Sequence, residues 1–333
     1  MVSETSTKHA DVLVVGAGMA ALAAAERLHA AGVAVQVVDK ARGVGGRMAT
    51  RRLTIGQCDH GVPAFRVEGE DFRHATQAWI RAGAAKPWTH DGISELVGTP
   101  GMTAIAKAMA RPLPAVDLDV KLERIDVDGK HWIARAGERR YVAGTLLLSP
   151  PVPQTLALLD AGSVGLALTD RATLGAVRYW PVFVVLARFG DEAALPPPGA
   201  LRFDNHPKLH SIVDDRRKGA SAASTATVRS TPEYAEKHFD RPSEEVLADL
   251  VAAAAPHLTG PPVEASLQRW RYALVREGAP APWLRLKGTP PAYCIGDAFG
   301  GGTVEGAWRS GRSAAEHWLA SDRAGASTPR SSR

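Results

Sequence analysis

Three stretches of this chain carry residue types and spacings suited to gripping a phosphorylated ligand. The first is Gly16-Ala17-Gly18-Met19-Ala20-Ala21, which comes after the apolar run 12–15. Gly16 permits a tight turn, Gly18 lets a pyrophosphate approach the backbone, and Ala21 is small enough for a helix to pack on a strand. The next segment, rich in Ala and Leu, reads as a helix whose N-terminal amides and dipole face the phosphates, with Met19 and Ala20 in its first turn. The second stretch begins at Asp39, at the end of the β-branched run 33–38. An acid about 20 residues beyond the glycine turn is placed to hold a ribose hydroxyl pair. Read alone, Asp39 is a strand-end cap; its place after the glycine turn favours the ribose role.

The residues after Asp39 bear on the length of the ligand. Lys40, Arg42, Gly45, Gly46, Arg47 and Met48 form a second glycine-rich, basic turn. Glycines there allow close backbone approach, and arginines offer forked donors to phosphate oxygens. An NAD dehydrogenase does not need this second turn, whereas FAD is longer and is held over a longer path. The competing reading is an exposed basic loop. The third stretch is Gly296-Asp297, then the glycine-rich loop 299–302, then Val304-Glu305-Gly306-Ala307. Asp297 is placed to accept from ribitol hydroxyls. A helix start at 305–307 sets partial positive charge at the flavin edge that becomes electron-rich on reduction.

These stretches need a frame that brings both ends of the chain to one ligand. The expected class is α/β: a Rossmann-type FAD-binding domain with an inserted antiparallel-sheet α+β substrate domain. The FAD-binding domain is expected from 10–70, 101–152 and 285–320, with substrate-domain helices in 71–100 and the substrate domain proper in 153–275. Residues 1–9 and 323–333 are expected to be disordered tails. Residues 71–82 read as an amphipathic helix, with Trp88 in the loop after it. Residues 102–110 read as a helix, and 116–127 and 131–136 as strands about an Asp128-Gly129 hairpin turn. Residues 141–148, 177–188, 201–203, 209–213, 226–229 and 263–272 read as further strands. Residues 243–254 read as a helix with Ser243 as N-cap and Glu244 and Glu245 in its first turn.

Composition narrows the class of function. The 333 residues carry a formal net charge of +5, with arginines scattered and no basic stripe interleaved with aromatics. That argues against nucleic acid and for an anionic small-molecule ligand. Cys58 and Cys294 are too few and too distant for a disulfide framework, and metal-ligand clusters are missing. No apolar run reaches spanning length, and the N-terminus is polar rather than signal-like. A cytoplasmic protein is expected, with no membrane partner and an oligomeric state the sequence leaves open.

Together these motifs resemble the FAD-dependent amine oxidase superfamily and, within it, bacterial renalases. The matching pieces are Asp39-Lys40-Ala41, Gly45-Gly46-Arg47-Met48-Ala49-Thr50, Asp59-His60-Gly61, Thr99-Pro100-Gly101-Met102, Arg269-Trp270-x-Tyr272-Ala273 and Val304-Glu305-Gly306-Ala307-Trp308-x-Ser310-Gly311. The likeness covers roughly residues 10–320. It implies non-covalent FAD, with the hairpin strand near Leu122 offering its backbone to the adenine. It also implies oxidation of dihydronicotinamide isomers, reduced at ring position 2 or 6, to NAD(P)+. Dioxygen then takes the electrons and leaves as hydrogen peroxide. Such a reaction needs no strong acid, base or nucleophile, and positioning supplies most of the rate. Two departures fall on the expected substrate wall. The family's Ala-Gln-Tyr-Phe is Val62-Pro63-Ala64-Phe65 here, and a strand that usually carries His carries Arg229-Ser230-Thr231.

The candidate substrate residues are Val62, Pro63, Ala64, Phe65, Trp88, Arg229, Trp270 and Tyr272. The aromatics either stack on a planar, anionic substrate or fill a core. Arg229 either pairs with a substrate anion or lies on the surface. His60 and Gly61 read as loop residues near flavin, and Lys287 as an exposed turn rather than a catalytic lysine. Two rivals stand beside the renalase reading: an FAD-dependent amine oxidase or desaturase of a small metabolite, and an FAD-binding protein without turnover.

Overall fold

The computed structural model describes residues 6–90, 92–114, 116–190, 192 and 194–323. The chain opens with β1 (Thr7–Val15), α1 (Met19–Ala30), β2 (Val35–Val38), β3 (Thr50–Arg52), β4 (Gln57–Asp59) and α2 (Glu70–Arg81). It continues through β5 (Ala85–His90), β6 (Ile93–Gly98), α3 (Thr103–Ala110), β7 (Val116–Asp117), β8 (Arg124–Asp128), β9 (His131–Ala136) and β10 (Arg139–Leu148). Then come α4 (Val152–Ala161), α5 (Leu168–Ala176), β11 (Arg178–Arg188), β12 (Ala200–Arg202), β13 (Leu209–Asp214), α6 (Asp215–Lys218), β14 (Thr225–Ser230) and α7 (Pro232–His238). The last elements are α8 (Ser243–Ala254), β15 (Glu264–Glu277), β16 (Leu284–Arg285), β17 (Ala292–Cys294) and α9 (Val304–Ser321).

The chain divides into two compact units. The first comprises Met1–Gly46, Met109–Arg178 and Glu277–Arg333; the second comprises Arg47–Ala108 and Tyr179–Arg276. In the first unit an eight-stranded sheet runs β16-β17-β10-β1-β2-β7, with the β8–β9 hairpin branching from β10. Strand β10 explains the branch. One edge pairs parallel with β1 along its length, while the other takes β9 antiparallel at 139–143 and β17 parallel at 146–148. The run 12–15 and all of β2 are buried, as two-faced parallel strands must be. Helix α1 is so rich in alanine that α9 approaches its backbone: a Cβ on Gly311 would lie 1.9 Å from the Ala20 carbonyl oxygen.

In the second unit an antiparallel sheet runs β12-β13-β14-β11-β15. Alternation along β11 sorts its two faces. Phe183 and Val185 join Val246 and Leu250 of α8 in one core. Val182, Val184 and Leu186 pack with Cys58, Trp270 and Ala273 on the other side. Strand β15 is the outer strand, and every one of its residues is at least partly exposed.

Several expectations shift. Residues 153–178, including α4 and α5, belong to the first unit, and 47–70 belong to the second. The 71–100 stretch is one helix and then the hairpin β5–β6, so Trp88 stands on a strand rather than in a loop. Pro87 disguised it, because proline is tolerated only where a strand edge is free. The stretch 116–127 is two strands, and Leu122 lies in the connection before β8 rather than within the hairpin. Helix α8 is capped by Pro242 without a side-chain bond, so Ser243 is its first residue and not its cap. Of the expected tails, residues 7–9 are in β1, and 1–5 and 324–333 lie outside the described residues. Among the described residues no helix is long and apolar enough to cross a membrane.

Candidate functional site

The first unit holds the dinucleotide fingerprint. Gly16 ends β1 with φ +98°, and a Cβ there would meet Ser149 Oγ at 2.3 Å. Gly18 caps α1 without any side-chain bond, and the space where its Cβ would stand is open. The start of α1 therefore carries no side-chain cap, as an anion cradle requires. Asp39 is fixed at both oxygens: Oδ2 accepts from the Ala17 amide at 2.6 Å and Oδ1 from the Ala41 amide at 2.7 Å. Carboxylate oxygens retain lone pairs for hydroxyl donors after such bonds.

The second glycine turn packs on the first. The Gly45 amide donates to the Ala17 carbonyl at 2.8 Å, and a Cβ on Gly46 would lie 3.3 Å from Gly18 Cα. Lys40 bonds Gln154 at 2.9 Å, and Arg42 is exposed. At the far end of the chain, Gly296 adopts φ +140° and its amide donates to Ser310 Oγ at 3.0 Å. Asp297 opens a short 3-10 turn, and Thr303 caps α9 at the Gly306 amide. Val304, Glu305 and Ala307 are buried in the first turns of α9, with Glu305 paired to Arg309 at 2.9 Å. Met19 and Ala20 are buried beneath the first turn, and Leu122 is buried as well. The open approach at Gly18, the uncapped amides and the anchored Asp39 fit a dinucleotide. Lys287 is exposed, as expected, with its amide bonded to Asp170.

The other expected cofactor residues, Arg47, Met48, His60 and Gly61, belong to the second unit. Arg47 donates to the carbonyls of Tyr272 and Ala273 at 3.4 Å. Met48 is buried. Gly61 can only be glycine, since a Cβ would lie 1.8 Å from the Arg47 carbonyl oxygen.

The second unit also contains a cavity of about 270 Å³. Val62, Pro63, Ala64, Trp88, Arg229 and Trp270 line it, so six of the eight candidate substrate residues come together. The other two do not. Phe65 is buried, bridged to Leu96 and packed against Phe72; it is core. Tyr272 packs edge-on against Tyr179 instead. His60 lies stacked on Trp270 with ring centroids 5.3 Å apart, and the Trp270 indole donates to the His60 carbonyl at 2.8 Å.

The cavity floor is a row across the sheet. Arg202 pairs with Ser211, Ser211 with Arg229, and Arg229 with Val184, and all four line the cavity. Cross-strand partners share a face, which is why residues so far apart in sequence meet here. Arg229 is not a surface arginine: it is buried, and its guanidinium donates to the Asp59 and Gly61 carbonyls at 2.6 and 2.7 Å and to Thr227 Oγ1 at 2.9 Å. Glu95 accepts from Arg202 at 2.9 and 3.0 Å and sits 2.8 Å from His90 Nε2. Burial, reinforced by Arg51 and Arg229, pushes His60 down to about 4, so it is neutral at pH 7. Burial also lowers His210, again with help from Arg229 and Arg202.

Sequence patterns do not reveal the charges behind this wall. Lys218 lies 2.7 Å from Asp59 and 3.1 Å from Asp215, all three fully buried. Burial works against the Lys218 charge, but Asp215 and Asp59 outweigh it and its pKa is raised. Burial likewise pushes Asp215 up. The cluster Arg216-Arg217-Lys218 looks like an exposed basic run, and no local pattern marks Lys218 as the inward member.

Comparisons with known proteins agree with this architecture. The family described as NAD(P)-binding Rossmann-like domain matches residues 14–80. A putrescine oxidase triple mutant from a redesign of cofactor binding superposes with TM-score 0.69 at 17% identity, over 94% of this chain and 99% of that one. Cyclohexylamine oxidase from Brevibacterium oxydans IH-35A superposes with TM-score 0.66 at 13% identity, over 92% and 98%. A CLA-producing fatty acid isomerase from P. acnes reaches TM-score 0.65 at 12% identity, over 93% and 99%. This is a mixed α/β fold with a Rossmann-like domain and additional antiparallel sheets. Oxidases and an isomerase share it, so fold alone does not choose the reaction.

Proposed function

We propose that the protein is an FAD-dependent oxidase of the renalase type, acting in the cytoplasm on dihydronicotinamide isomers. Bound FAD would supply the hydride acceptor at N5 and the route by which dioxygen becomes hydrogen peroxide. Gly16, Gly18, Asp39 and the 42–46 turn would hold its phosphates and ribose. Asp297 and the start of α9 would serve its ribitol and ring.

The observation that carries the substrate class is the character of the cavity. Its planar side chains, Trp88, Trp270 and His60, suit a flat ring. Its charged lining is Arg47, Arg202 and Arg229 with the carboxylate Glu95. Arg202 pairs with Glu95, and the buried Asp59 and Asp215 offset Arg229 and Lys218, so these groups together still sum to a formal positive charge. Such a lining attracts an anionic nucleotide and repels an ammonium ion. With His60 neutral, the wall orients a ring and excludes water rather than moving protons.

The amine oxidase reading has one observation in its favour, the presence of Glu95 among the lining residues. One experiment separates the two. The purified holoprotein is mixed without oxygen with 6-dihydro-NAD or with a panel of primary and secondary amines. The nicotinamide isomer is expected to bleach the oxidised flavin band, with peroxide formed when air is admitted, and the amines to leave it unchanged. Bleaching by amines alone would replace the proposal with the amine oxidase reading. Bleaching by neither would favour an FAD-binding protein without turnover.

A further inference from the structure

Behind the cavity wall lie buried charges for which the proposed reaction has no use. Replacing a buried ion pair with apolar residues of similar volume is often neutral or stabilising, so Asp59, Asp215 and Lys218 do not explain themselves by stability alone. Their hydrogen bonds point to another role. An ammonium group has three donors. Lys218 Nζ directs bonds toward Asp59 Oδ2 at 2.7 Å, Asp215 Oδ1 at 3.1 Å and the Pro63 carbonyl at 3.1 Å. The neighbouring carbonyls are held in the same manner, those of Asp59 and Gly61 by Arg229 and that of His60 by Trp270. Four carbonyls of the 59–63 loop thus each receive a side-chain donor from β14, β15 or the end of α6. Lys218 is the donor nearest the loop's far end, where Val62, Pro63 and Ala64 form the cavity wall.

We propose that Lys218 is a positioning residue: through the Pro63 carbonyl it fixes the 62–64 wall at the distance a planar substrate needs. Two carboxylates offset two cations, so the cluster provides fixed donors without adding net charge to the cavity. Gly219 ends α6 at φ +84°, a left-handed cap that stops the helix one residue beyond Lys218. The inference rests on the reading of this cavity as the substrate site, and its test has one arm that requires no substrate.

Lys218→Met alone leaves two buried carboxylates facing one arginine and risks misfolding. The variant K218M/D215N keeps the cluster balanced while removing the tether. Amide hydrogen exchange is measured at Gly61 and Val62, which bond the Ala49 and Arg47 carbonyls, and at Ile212 and Val228 in the sheet as internal reference. The loop amides are expected to exchange about tenfold faster, a usual weight for one charge-assisted bond, with the sheet amides unchanged. The KM for 6-dihydro-NAD is expected to rise about tenfold with kcat changed less than about twofold. Unchanged loop exchange, or equal acceleration of loop and sheet, would overturn the proposal. So would faster loop exchange with an unmoved KM. If 6-dihydro-NAD is not turned over by the unaltered protein, the proposed reaction fails while the exchange arm still decides the role of Lys218.

Discussion

His60 shows how much a single side chain's surroundings decide. Its Nδ1 is buried with no hydrogen-bond partner among the described residues, its ring lies on Trp270, and burial with two nearby guanidiniums pushes it down to about 4. The unfolded chain protonates this imidazole near pH 6.5, and the native chain does so only near 4. Between those values the unfolded state binds more protons, so the stability due to His60 is whole above pH 6.5 and is lost as pH falls toward 4. Denaturant unfolding is expected to show a His60-dependent loss of up to about 2 kcal/mol between about pH 7.5 and 5. His60→Gln should flatten that part of the profile. Asp215, raised rather than lowered, acts in the opposite direction over the acid range, so the measurement is the difference between the two proteins. If that difference is independent of pH, the neutral, shielded imidazole is refuted.

At the scale of elements, the clearest consequence lies where α9 crosses α1. Gly311 has no room for a methyl group, because the Ala20 carbonyl would stand 1.9 Å away. Gly311→Val must push the helices apart, and overpacking of this kind costs roughly 1–3 kcal/mol, or several degrees in Tm. Calorimetry should show that drop; an unchanged Tm would mean that the two helices can part at this crossing without loss. Much of this level was legible in the sequence. The run 12–15, the glycines after it and Asp39 form a local pattern, as does the apolar spacing of α2, whereas the apolar run of β11 marks a strand but not which residue faces which core. The illegible part depends on pairing across long separations. Lys218 meets Asp59 from 159 positions away, and Arg202 meets Arg229 only through Ser211. Aromatic type alone likewise could not separate Trp88 and Trp270, which line the cavity, from Phe65 and Tyr272, which do not.

Across the whole molecule, the path of the chain departs furthest from the order its sequence suggests. Three segments build the first unit and two the second, and the change from one to the other falls between Gly46 and Arg47, inside the glycine-rich turn. Composition runs smoothly through that turn, so nothing there marks a boundary. The outer strand β15 has a further consequence, for life in a crowded solution. An outer strand carries backbone groups that can serve as a template on which another chain extends its own sheet. Along this strand Arg271 and Arg276 stand exposed, their guanidiniums stacked on Phe239 and Trp180 at 4.2 and 4.1 Å. Charged side chains on an outer strand disfavour the approach of another copy, and the stacking, with ion pairs to Asp240 and Glu236, keeps these two in place. The variant R271V/R276V is expected to keep its fold yet scatter light increasingly with concentration, where the unaltered protein stays clear. Equal scattering from both would show that these arginines do not guard the edge against aggregation.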